Sequence, residues 1–518
     1  MKYILTIALV IVLIISVVIT ILSISLNKKN AWQIVNDMGI GWNLGNSFDC
    51  FSTFEKMKTP DQQITLWGNV VPTKKMVISI KKYGFKTIRF PVTWFHFMDN
   101  DNQVDVNWMS RVKEVVKWII KEKMYCILNL QHDGVKGNWL SEGIGAKNKY
   151  IALWTQIANE FKNFNEYLIF ESMNEVEYKI GNETDFMTLL ELTQAFVDTV
   201  RNTGGKNIDR LLLISGMNAN LELTCSSDYK LPIDPFRKLA VSIHYYIPTD
   251  FTVEEDDNPW SWTDESGVYH ETIPQTKWGT ETHYKDMFND FETMKKSFLD
   301  KGIPIILGET GVLTEQKKSP ESIREYLFAE FSMSSSYEGI MTCLWDTSNK
   351  NAGDMNYYDK EHDRWFDDQI KENFIKISKG DFVKPSNFFS ITDSEYVYSR
   401  DENDGSMLIK VESKKVNKFL FNVQINLSNL WDCGFGILSY DFNKKYFYKT
   451  ISGAEGKKQY DNTYTFTIYA TSNETYTNYI QVQVWWGNAN VTINYMRIFY
   501  KESYNIFNFL EYKKASSK

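Results

Sequence analysis

The sequence is poor in the residues that build disulfide frameworks and metal centres. Its 518 residues include only five cysteines and six histidines. The cysteines form no Cys-x-x-Cys pair and no Cys/His spacing typical of zinc, and their odd number argues against a disulfide framework. Cys126 and Cys343 lie inside apolar runs, where a cysteine serves as a small core residue. We therefore expect neither a metal nor another cofactor.

Excess positive charge is also lacking. The formal net charge of −8 weighs against nucleic-acid backbones as partners. Internal repeats and low-complexity tracts are absent as well, so a solenoid or an array of repeats is not expected. What the sequence has is length and aromatic side chains: 33 Phe, 29 Tyr and 16 Trp. These suffice to fill the cores of two folded units.

The N-terminal segment has a different composition from the rest of the chain. Residues 3–26 are almost continuously apolar, with Lys2 before them and Lys28 and Lys29 after them. A segment of this kind is a signal peptide or a membrane anchor, and we exclude residues 1–30 from the fold. We expect an extracellular protein, either secreted or anchored to a membrane through residues 3–26. The sequence leaves cleavage and anchoring both open.

Between residues 31 and 378, short apolar runs alternate with helical periods such as Trp108–Lys121. Strand alternating with helix eight times predicts an α/β fold, the closed (β/α)8 TIM barrel, whose chemistry lies at the C-terminal ends of the strands. The eight runs are Gly39–Leu44, Phe85–Phe90, Tyr125–Leu130, Leu168–Met173, Leu211–Ser215, Ala240–His244, Ile303–Gly308 and Gly339–Leu344.

The pattern changes in residues 379–387, which we interpret as a linker. Residues 388–503 contain short alternating runs without a helical period, which predicts a C-terminal antiparallel β-sandwich domain. Residues 504–518 are expected to form a tail. The predicted strands are Ser406–Glu412, Phe419–Ile425, Thr463–Tyr469, Tyr479–Trp486 and Thr492–Tyr500.

One aromatic residue of this domain stands out. In Ile480–Trp486, alternation places Trp485 on the polar face beside two glutamines. An aromatic ring flanked by glutamines is a plausible platform for a sugar, which makes the domain a candidate carbohydrate-binding module. Ordinary packing between strands explains the same pattern equally well, and both interpretations stay open.

Two glutamates carry the functional hypothesis. Glu175 follows the fourth apolar run, and Glu309 ends the seventh. Two carboxylates held at strand ends are what acid catalysis and nucleophilic attack on an acetal require. Taken alone, Glu175 is explained equally well as a solvated loop residue at the start of the next helix. Its pairing with Glu309 favours a catalytic role. The sequence therefore predicts a sugar-cleaving enzyme.

Polar and aromatic groups at other strand ends can support these carboxylates. Arg89 can hold Glu309 ionised, although a structural ion pair would also explain it. Two histidines and a tryptophan at strand ends have roles in a sugar site, against the alternative that they only pack in the barrel. The predicted supporting residues are Asn46, Arg89, Gln131, His132, Asn174, His244, Tyr246 and Trp345.

The motifs around these residues resemble those of glycoside hydrolase family 5, in particular its subfamily 4 endoglucanases. The resemblance implies that residues 31–378 are a catalytic barrel and that the chain is an endo-β-1,4-glucanase (cellulase) of the retaining type. Glu175 would be its acid/base and Glu309 its nucleophile. The motifs are Gly41–Asn46, Gly84–Trp94, Ser172–Glu175, His244–Tyr246, Leu307–Gly311 and Leu344–Asp346.

One position departs from the family pattern. Gln131 stands where members of this group usually carry the first of two adjacent histidines, followed here by His132. Glutamine can donate or accept a hydrogen bond but cannot carry charge. Two alternatives therefore stay open. One is the same mechanism on mannan, xyloglucan, xylan or mixed-linkage β-glucan, and the other is a catalytically weakened glycan-binding protein.

Overall fold

The structure is a computed structural model, and the chain divides into two compact units, Met1–Phe382 and Val383–Lys518. In the second unit the strands are described by their backbone and pairing. The described residues are 29–134, 139–176, 184–253, 261–263, 269–271, 276–314, 318–348, 354–383, 390–392, 396–399, 406–426, 434–440, 446–452, 457–458, 463–471, 476–486 and 490–500.

Eight parallel strands of the first unit close into a barrel. They are β1 (Gly41–Asn43), β2 (Thr87–Phe90), β3 (Tyr125–Leu128), β4 (Leu168–Glu171), β5 (Leu212–Ser215), β6 (Leu239–Tyr245), β9 (Ile305–Thr310) and β10 (Ile340–Leu344). Their order around the barrel is β1-β10-β9-β6-β5-β4-β3-β2. Each strand overlaps one of the eight apolar runs, so the prediction of a (β/α)8 barrel is confirmed. A hairpin of β7 (Ser261–Thr263) and β8 (Tyr269–Glu271) follows β6.

Helices occupy most of the segments between the strands. The α-helices are α1 (Ala31–Met38), α2 (Pro60–Ile64), α3 (Lys74–Lys82), α4 (Val106–Lys121), α5 (Gly143–Phe161), α6 (Thr184–Asn202), α7 (Leu221–Cys225), α8 (Thr249–Thr252), α9 (Glu281–Ser297), α10 (Pro320–Ser336) and α11 (Asp368–Ser378). A short antiparallel pair, β11 (Tyr358–Asp359) and β12 (Arg364–Trp365), precedes α11.

The helix α4 shows how the sequence produces these elements. Asp105 caps its first turn by accepting hydrogen bonds from the backbone nitrogens of Asn107 and Trp108. The apolar residues recur at helical spacing, so they share one buried face, and each contributes about 1.5–3 kcal/mol by burial. That face consists of Trp108, Met109, Val112, Val115, Val116 and Ile119.

The N-terminal end of the barrel is closed by α1. Its buried residues Ala31, Ile34, Val35 and Met38 belong to the same core cluster as the first residues of several strands, including Tyr125. Apolar packing therefore fills this end, and the opposite end is left for polar side chains. Cys126 and Cys343 are buried free thiols in the barrel strands, as expected of small core residues.

The second unit is built from antiparallel strands. They are β13 (Ser390–Thr392), β14 (Tyr396–Ser399), β15 (Ser406–Asn426), β16 (Gly434–Tyr440), β17 (Tyr446–Ser452), β18 (Lys457–Lys458), β19 (Thr463–Thr471), β20 (Tyr476–Trp486) and β21 (Asn490–Tyr500). The two strands expected within 406–425 are one continuous strand, so their separation was wrong. No glycine or proline interrupts this stretch, which removes the usual reason for a turn.

In the described part of the chain, no helix is both long and apolar enough to cross a bilayer. The apolar segment of residues 3–26 lies outside the described residues, so its assignment as a signal or anchor stays a prediction. Residues 384–387 of the expected linker and the whole tail of residues 504–518 lie outside them as well.

The buried glutamate Glu330 makes a testable contribution to stability. Its side chain lies inside the barrel wall on α10, where Oε1 accepts a hydrogen bond from Thr342 and Oε2 has no partner. Burial raises the pKa of this carboxyl well above its ordinary value. In the unfolded chain the same group ionises above about pH 4.5, so rising pH favours unfolding by about 1.4 kcal/mol per pH unit until the folded pKa is reached.

We predict that Glu330→Gln becomes progressively more stable relative to the wild type as the pH rises above about 5, because glutamine cannot titrate. Urea unfolding followed by tryptophan fluorescence at several pH values measures this difference. The exposed Glu222, on α7, provides the matched control Glu222→Gln, which leaves the pH slope unchanged. Parallel stability curves for Glu330→Gln and the wild type would contradict the prediction.

Candidate active site

A buried arginine occupies the centre of the polar end of the barrel. Arg89 is the third of the four residues of β2 and is fully buried. Its Nη1 donates to Oε1 of Glu309 at 2.7 Å, and its Nη2 donates to Oδ1 of Asn174 at 2.8 Å. Its Nε donates to Oε2 of Glu171 at 2.7 Å. Arg89 therefore connects three strand ends that are distant in the sequence.

Glu309 lies in β9 with both carboxylate oxygens occupied by donors. Besides Arg89, Oε1 accepts from Nε2 of Gln131 at 3.2 Å, and Oε2 accepts from the hydroxyl of Tyr246 at 3.0 Å. Burial alone would raise the pKa of Glu309. The charges of His244 and Arg89 and the donated hydrogen bonds outweigh burial and lower this pKa below its ordinary value. The side chain is thus held as a rigid, buried anion.

Glu175 differs from Glu309 in its surroundings. It follows β4, its side chain is 44% exposed, and its Oε1 lies 2.7 Å from Nδ1 of His244. The same His244 nitrogen lies 3.7 Å from Oε2 of Glu309. One carboxylate is therefore enclosed, and the other reaches the solvent-facing side of the site with a histidine between them.

His244 takes its charge state from these two carboxylates. Burial would lower the pKa of the imidazole, but the negative charge of Glu309 and the hydrogen bond with Glu175 raise it above the ordinary value. The pKa of Tyr246 is raised as well, by burial and by the charge of Glu309, which keeps its hydroxyl protonated as a donor.

Gln131 and His132, in the loop after β3, lie near the two carboxylates. Gln131 is buried, and its amide oxygen accepts from Asn129 while its nitrogen faces Glu309. His132 is further out, with its ring centroid 4.8 Å from that of Phe51 and 6.0 Å from that of Trp67. Burial lowers the pKa of His132 to about 4, so the imidazole is neutral at ordinary pH.

Two further predicted residues lie where β1 and β10 end. Trp345 directly follows β10, is half-buried, and packs so closely on Gly45 that an added Cβ there would lie 3.2 Å from the indole. Asn46 sits in the loop after β1, where its backbone nitrogen donates to Asp49 and its carbonyl accepts from Asn69. No side-chain contact joins Asn46 to the carboxylates in the described structure. Trp485 falls on β20, and its side chain lies outside the described residues.

The sequence-based set omitted two residues of this cluster. Asn43, in β1, accepts from Nη1 of Arg89 at 3.1 Å and donates to the carbonyl of Gly308. Glu171 ends β4 and accepts from Arg89 and from the hydroxyl of Ser242. The usable signal for Glu171 was a charged residue in an otherwise apolar strand, which a buried position tolerates only with a partner.

The same groups could in principle hold a cation. Glu175, His244 and Glu309 each offer one ligand atom, and these atoms lie within 4.8 Å of one another. The positive charge of Arg89 already lies 2.7 Å from Glu309, and a divalent ion there would meet its repulsion. The arrangement suits a carboxylate pair acting on a neutral substrate better than a metal centre.

Comparisons with known proteins agree with this geometry. Residues 45–351 match the model of the cellulase family, glycosyl hydrolase family 5. Endoglucanase A of Paenibacillus barcinonensis is 35% identical over 308 residues, which span 55% of this chain and 74% of the relative. The six motifs named above lie within or at the edge of the matched region.

Two solved structures share the fold. A GH5-4 broad specificity endoglucanase from an uncultured bovine rumen ciliate is 64% identical, with a TM-score of 0.66 over 68% of this chain and 99% of the other. A mutant of a glycoside hydrolase 5 lichenase from Caldicellulosiruptor sp. F32, in complex with cellotetraose, is 28% identical, with a TM-score of 0.60 over 68% and 96%.

The family model covers more than half of the chain and includes Arg89 and both glutamates. This chain therefore belongs to glycosyl hydrolase family 5, and it is a glycoside hydrolase.

Proposed function

We propose that this protein is an endo-β-1,4-glucanase that hydrolyses internal bonds of β-glucans with retention of configuration. The family membership and the endoglucanase relatives support cellulase activity on β-glucans. The observation that carries the mechanism is the short separation of the two carboxylates: one oxygen of Glu175 and one of Glu309 lie within 4.8 Å of each other. Retaining enzymes have such close pairs, whereas inverting enzymes need room for a water molecule.

In the first step, Glu309 attacks the anomeric carbon, and the bond from that carbon to the glycosidic oxygen breaks. Glu175 gives its proton to the departing oxygen, so the leaving sugar departs as a neutral alcohol. Arg89, Tyr246 and Gln131 hold the attacking carboxylate in one orientation, which lowers the entropic part of the barrier. The product of this step is a glycosyl ester of Glu309.

In the second step, Glu175 accepts a proton from water, and the resulting hydroxyl displaces Glu309 from the anomeric carbon. The exposure of Glu175 gives it access to that water. Two inversions at one carbon restore the original configuration. The released sugar carries the water oxygen, and both carboxyl groups return to their starting states.

Neighbouring side chains contribute to substrate binding. Arg89 occupies the amide oxygen of Asn174, so the amide nitrogen is left to donate to a sugar 2-hydroxyl, an interaction that strengthens in the transition state. The half-buried indole of Trp345 offers a surface for stacking on a sugar ring. His132 and Asn46 lie farther from the carboxylates and would contact neighbouring sugars.

We predict that Glu309→Gln lowers kcat on carboxymethyl-cellulose by on the order of 10⁴-fold or more, because the nucleophile is lost. Glu175→Gln lowers it by about 10²–10⁴-fold. Reducing-sugar release measures both, with Glu222→Gln as the exposed control. Near wild-type turnover of Glu309→Gln would refute the assignment.

Azide distinguishes the two roles. With an aryl glycoside and Glu309→Ala, azide attacks from the vacated face, and the product is the glycosyl azide of inverted configuration. With Glu175→Ala, azide displaces Glu309 from the covalent intermediate, and the azide of retained configuration forms. NMR of the products identifies each configuration. If Glu309→Ala gave the azide of retained configuration and Glu175→Ala the inverted one, the roles of the two carboxylates would be the reverse of those proposed.

The structural relatives are named for different substrate ranges: one is a lichenase and another a broad specificity endoglucanase. We predict highest kcat/KM on soluble β-1,4-glucan or mixed-linkage β-glucan, and lower values on glucomannan, xyloglucan and xylan. A panel of these polymers, assayed for reducing ends, measures the order. Binding to cellulose with no product from any polymer would favour the weakened glycan-binding protein instead.

We propose that the C-terminal unit is a β-sandwich that binds glycan. Its strand β15 pairs with β20 over its first half and with β19 and β21 over its second half, as a strand shared by two sheets would do. We predict that Trp485→Ala in the full chain weakens pull-down on insoluble cellulose about tenfold and spares kcat on a soluble polymer. Unchanged pull-down would leave Trp485 as a packing residue.

We also propose that the chain is exported, as the apolar segment of residues 3–26 suggests, since polymeric glucans do not enter cells. N-terminal sequencing of the protein from culture medium and from membranes tells a cleaved signal from an anchor. Finding all of the protein in the cytosol would contradict export.

A further inference from the structure

We propose that Glu171 is a positioning residue for catalysis, which fixes Arg89 against Glu309 and offsets part of the arginine charge that Glu309 experiences. This inference rests on the proposed function of Glu309 as the nucleophile. Glu171 itself touches neither the substrate nor the reacting atoms, because it lies beneath them in the barrel.

The geometry of Glu171 is fixed from two sides. Its Oε2 accepts from Nε of Arg89 at 2.7 Å, and its Oε1 accepts from the hydroxyl of Ser242, in β6, at 2.6 Å. The side chains of Glu171 and Arg89 are both fully buried. Two short hydrogen bonds from different strands leave the carboxylate one orientation, so it can serve as an anchor.

The anchor determines how Arg89 faces the nucleophile. The three nitrogens of the guanidinium are divided among separate acceptors: Nε on Glu171, Nη1 on Glu309 and Asn43, and Nη2 on Asn174. A planar guanidinium held at Nε cannot turn about its own axis. Because Nη1 is thereby fixed, the attacking carboxylate is also fixed relative to the sugar.

Glu171 also changes the net charge that Glu309 experiences. Arg89 carries one positive charge, and Glu171 neutralises it at a distance similar to that of Glu309. If Glu309 were the only charged partner of Arg89, the unpaired buried guanidinium would strongly stabilise the carboxylate of Glu309. That stabilisation would make Glu309 a poorer nucleophile. With Glu171 present, Glu309 meets a paired arginine, which orients it with less loss of reactivity.

Other titratable groups also act on Glu309, and the test must separate them from Glu171. They come from β2, β6, β10 and the loops that follow the strands. These groups are Arg89, Glu175, His132, His244, Tyr246 and Cys343. A change at Glu171 differs from a change at any of these, because it alters the charge behind Arg89 and leaves the substrate side untouched.

The test compares Glu171→Gln with Glu171→Asp in the full chain. Glutamine keeps the length of the side chain and can accept from Arg89, but it removes the negative charge. Ionised Glu309 is then favoured, so its pKa falls and the acid limb of kcat/KM moves down by about one to two pH units. Aspartate keeps the charge but is one methylene shorter, so kcat falls about tenfold without a shift of the acid limb.

The control is Glu330→Gln, since Glu330 is equally buried in the same barrel but contacts Thr342 instead of Arg89. It is expected to change stability and leave the pH profile in place. A purely structural role for Glu171 would give the same result as this control. An unshifted acid limb in Glu171→Gln, or failure of both Glu171 variants to fold, overturns the proposal.

The outcomes remain distinct from those that test the function. If the wild type releases no sugar from any β-glucan, the proposed function is wrong. If the wild type is active and Glu309→Gln is not, while Glu171→Gln follows the wild-type pH profile, only the role of Glu171 is wrong.

Discussion

The active end of the barrel depends on one buried cation between two buried anions. Removing a guanidinium and its partners from water costs several kcal/mol per ion, and their mutual attraction returns that cost only with good geometry. The Arg89 network meets this condition, because each nitrogen of the guanidinium has an acceptor within 3.1 Å. Replacing buried ion networks by apolar side chains of the same volume is often neutral or even stabilising. A buried charged layer is therefore weak evidence for stability, and it fits a role in the chemistry of the site better.

The barrel brings these residues together through strand register. Asn43 pairs with Arg89 across β1 and β2, and His244 pairs with Glu309 across β6 and β9. The second pairing requires a bulge, since the register shifts between Ile243 and His244. Gly308 is the extra residue, and a Cβ there would lie 3.1 Å from the His244 ring. The bulge and the glycine together turn His244 and Glu309 towards the same point.

The sequence predicted the barrel well because each strand is a separate apolar run bounded by polar loops. Glu175, Glu309 and Arg89 could be found because each stands at the end of such a run. Asn43 and Glu171 were omitted because they lie within the apolar runs Gly39–Leu44 and Leu168–Met173, and because their partners are set by the closure of the barrel. Strand β15 was predicted as two strands because the mostly polar residues Ser413–Lys418 separate its two apolar runs, whereas in the structure β20 pairs with its first half and β21 with its second half. Substrate preference could not be predicted, since it depends on loops whose shapes are not periodic.

The charge on Glu309 changes during the proposed reaction, and the surroundings of the site fit that change. As an anion, Glu309 is held by the guanidinium of Arg89, and its Oε2 accepts from the hydroxyl of Tyr246, whose raised pKa keeps it protonated. Once Glu309 becomes an ester, its negative charge disappears, and Arg89 keeps the charge of Glu171 as its partner. The donors on Glu309 other than Arg89 are neutral: Tyr246 and Gln131. A neutral Gln131 therefore adds no charge to the site, whereas a protonated histidine in its place would put a further positive charge beside Glu309.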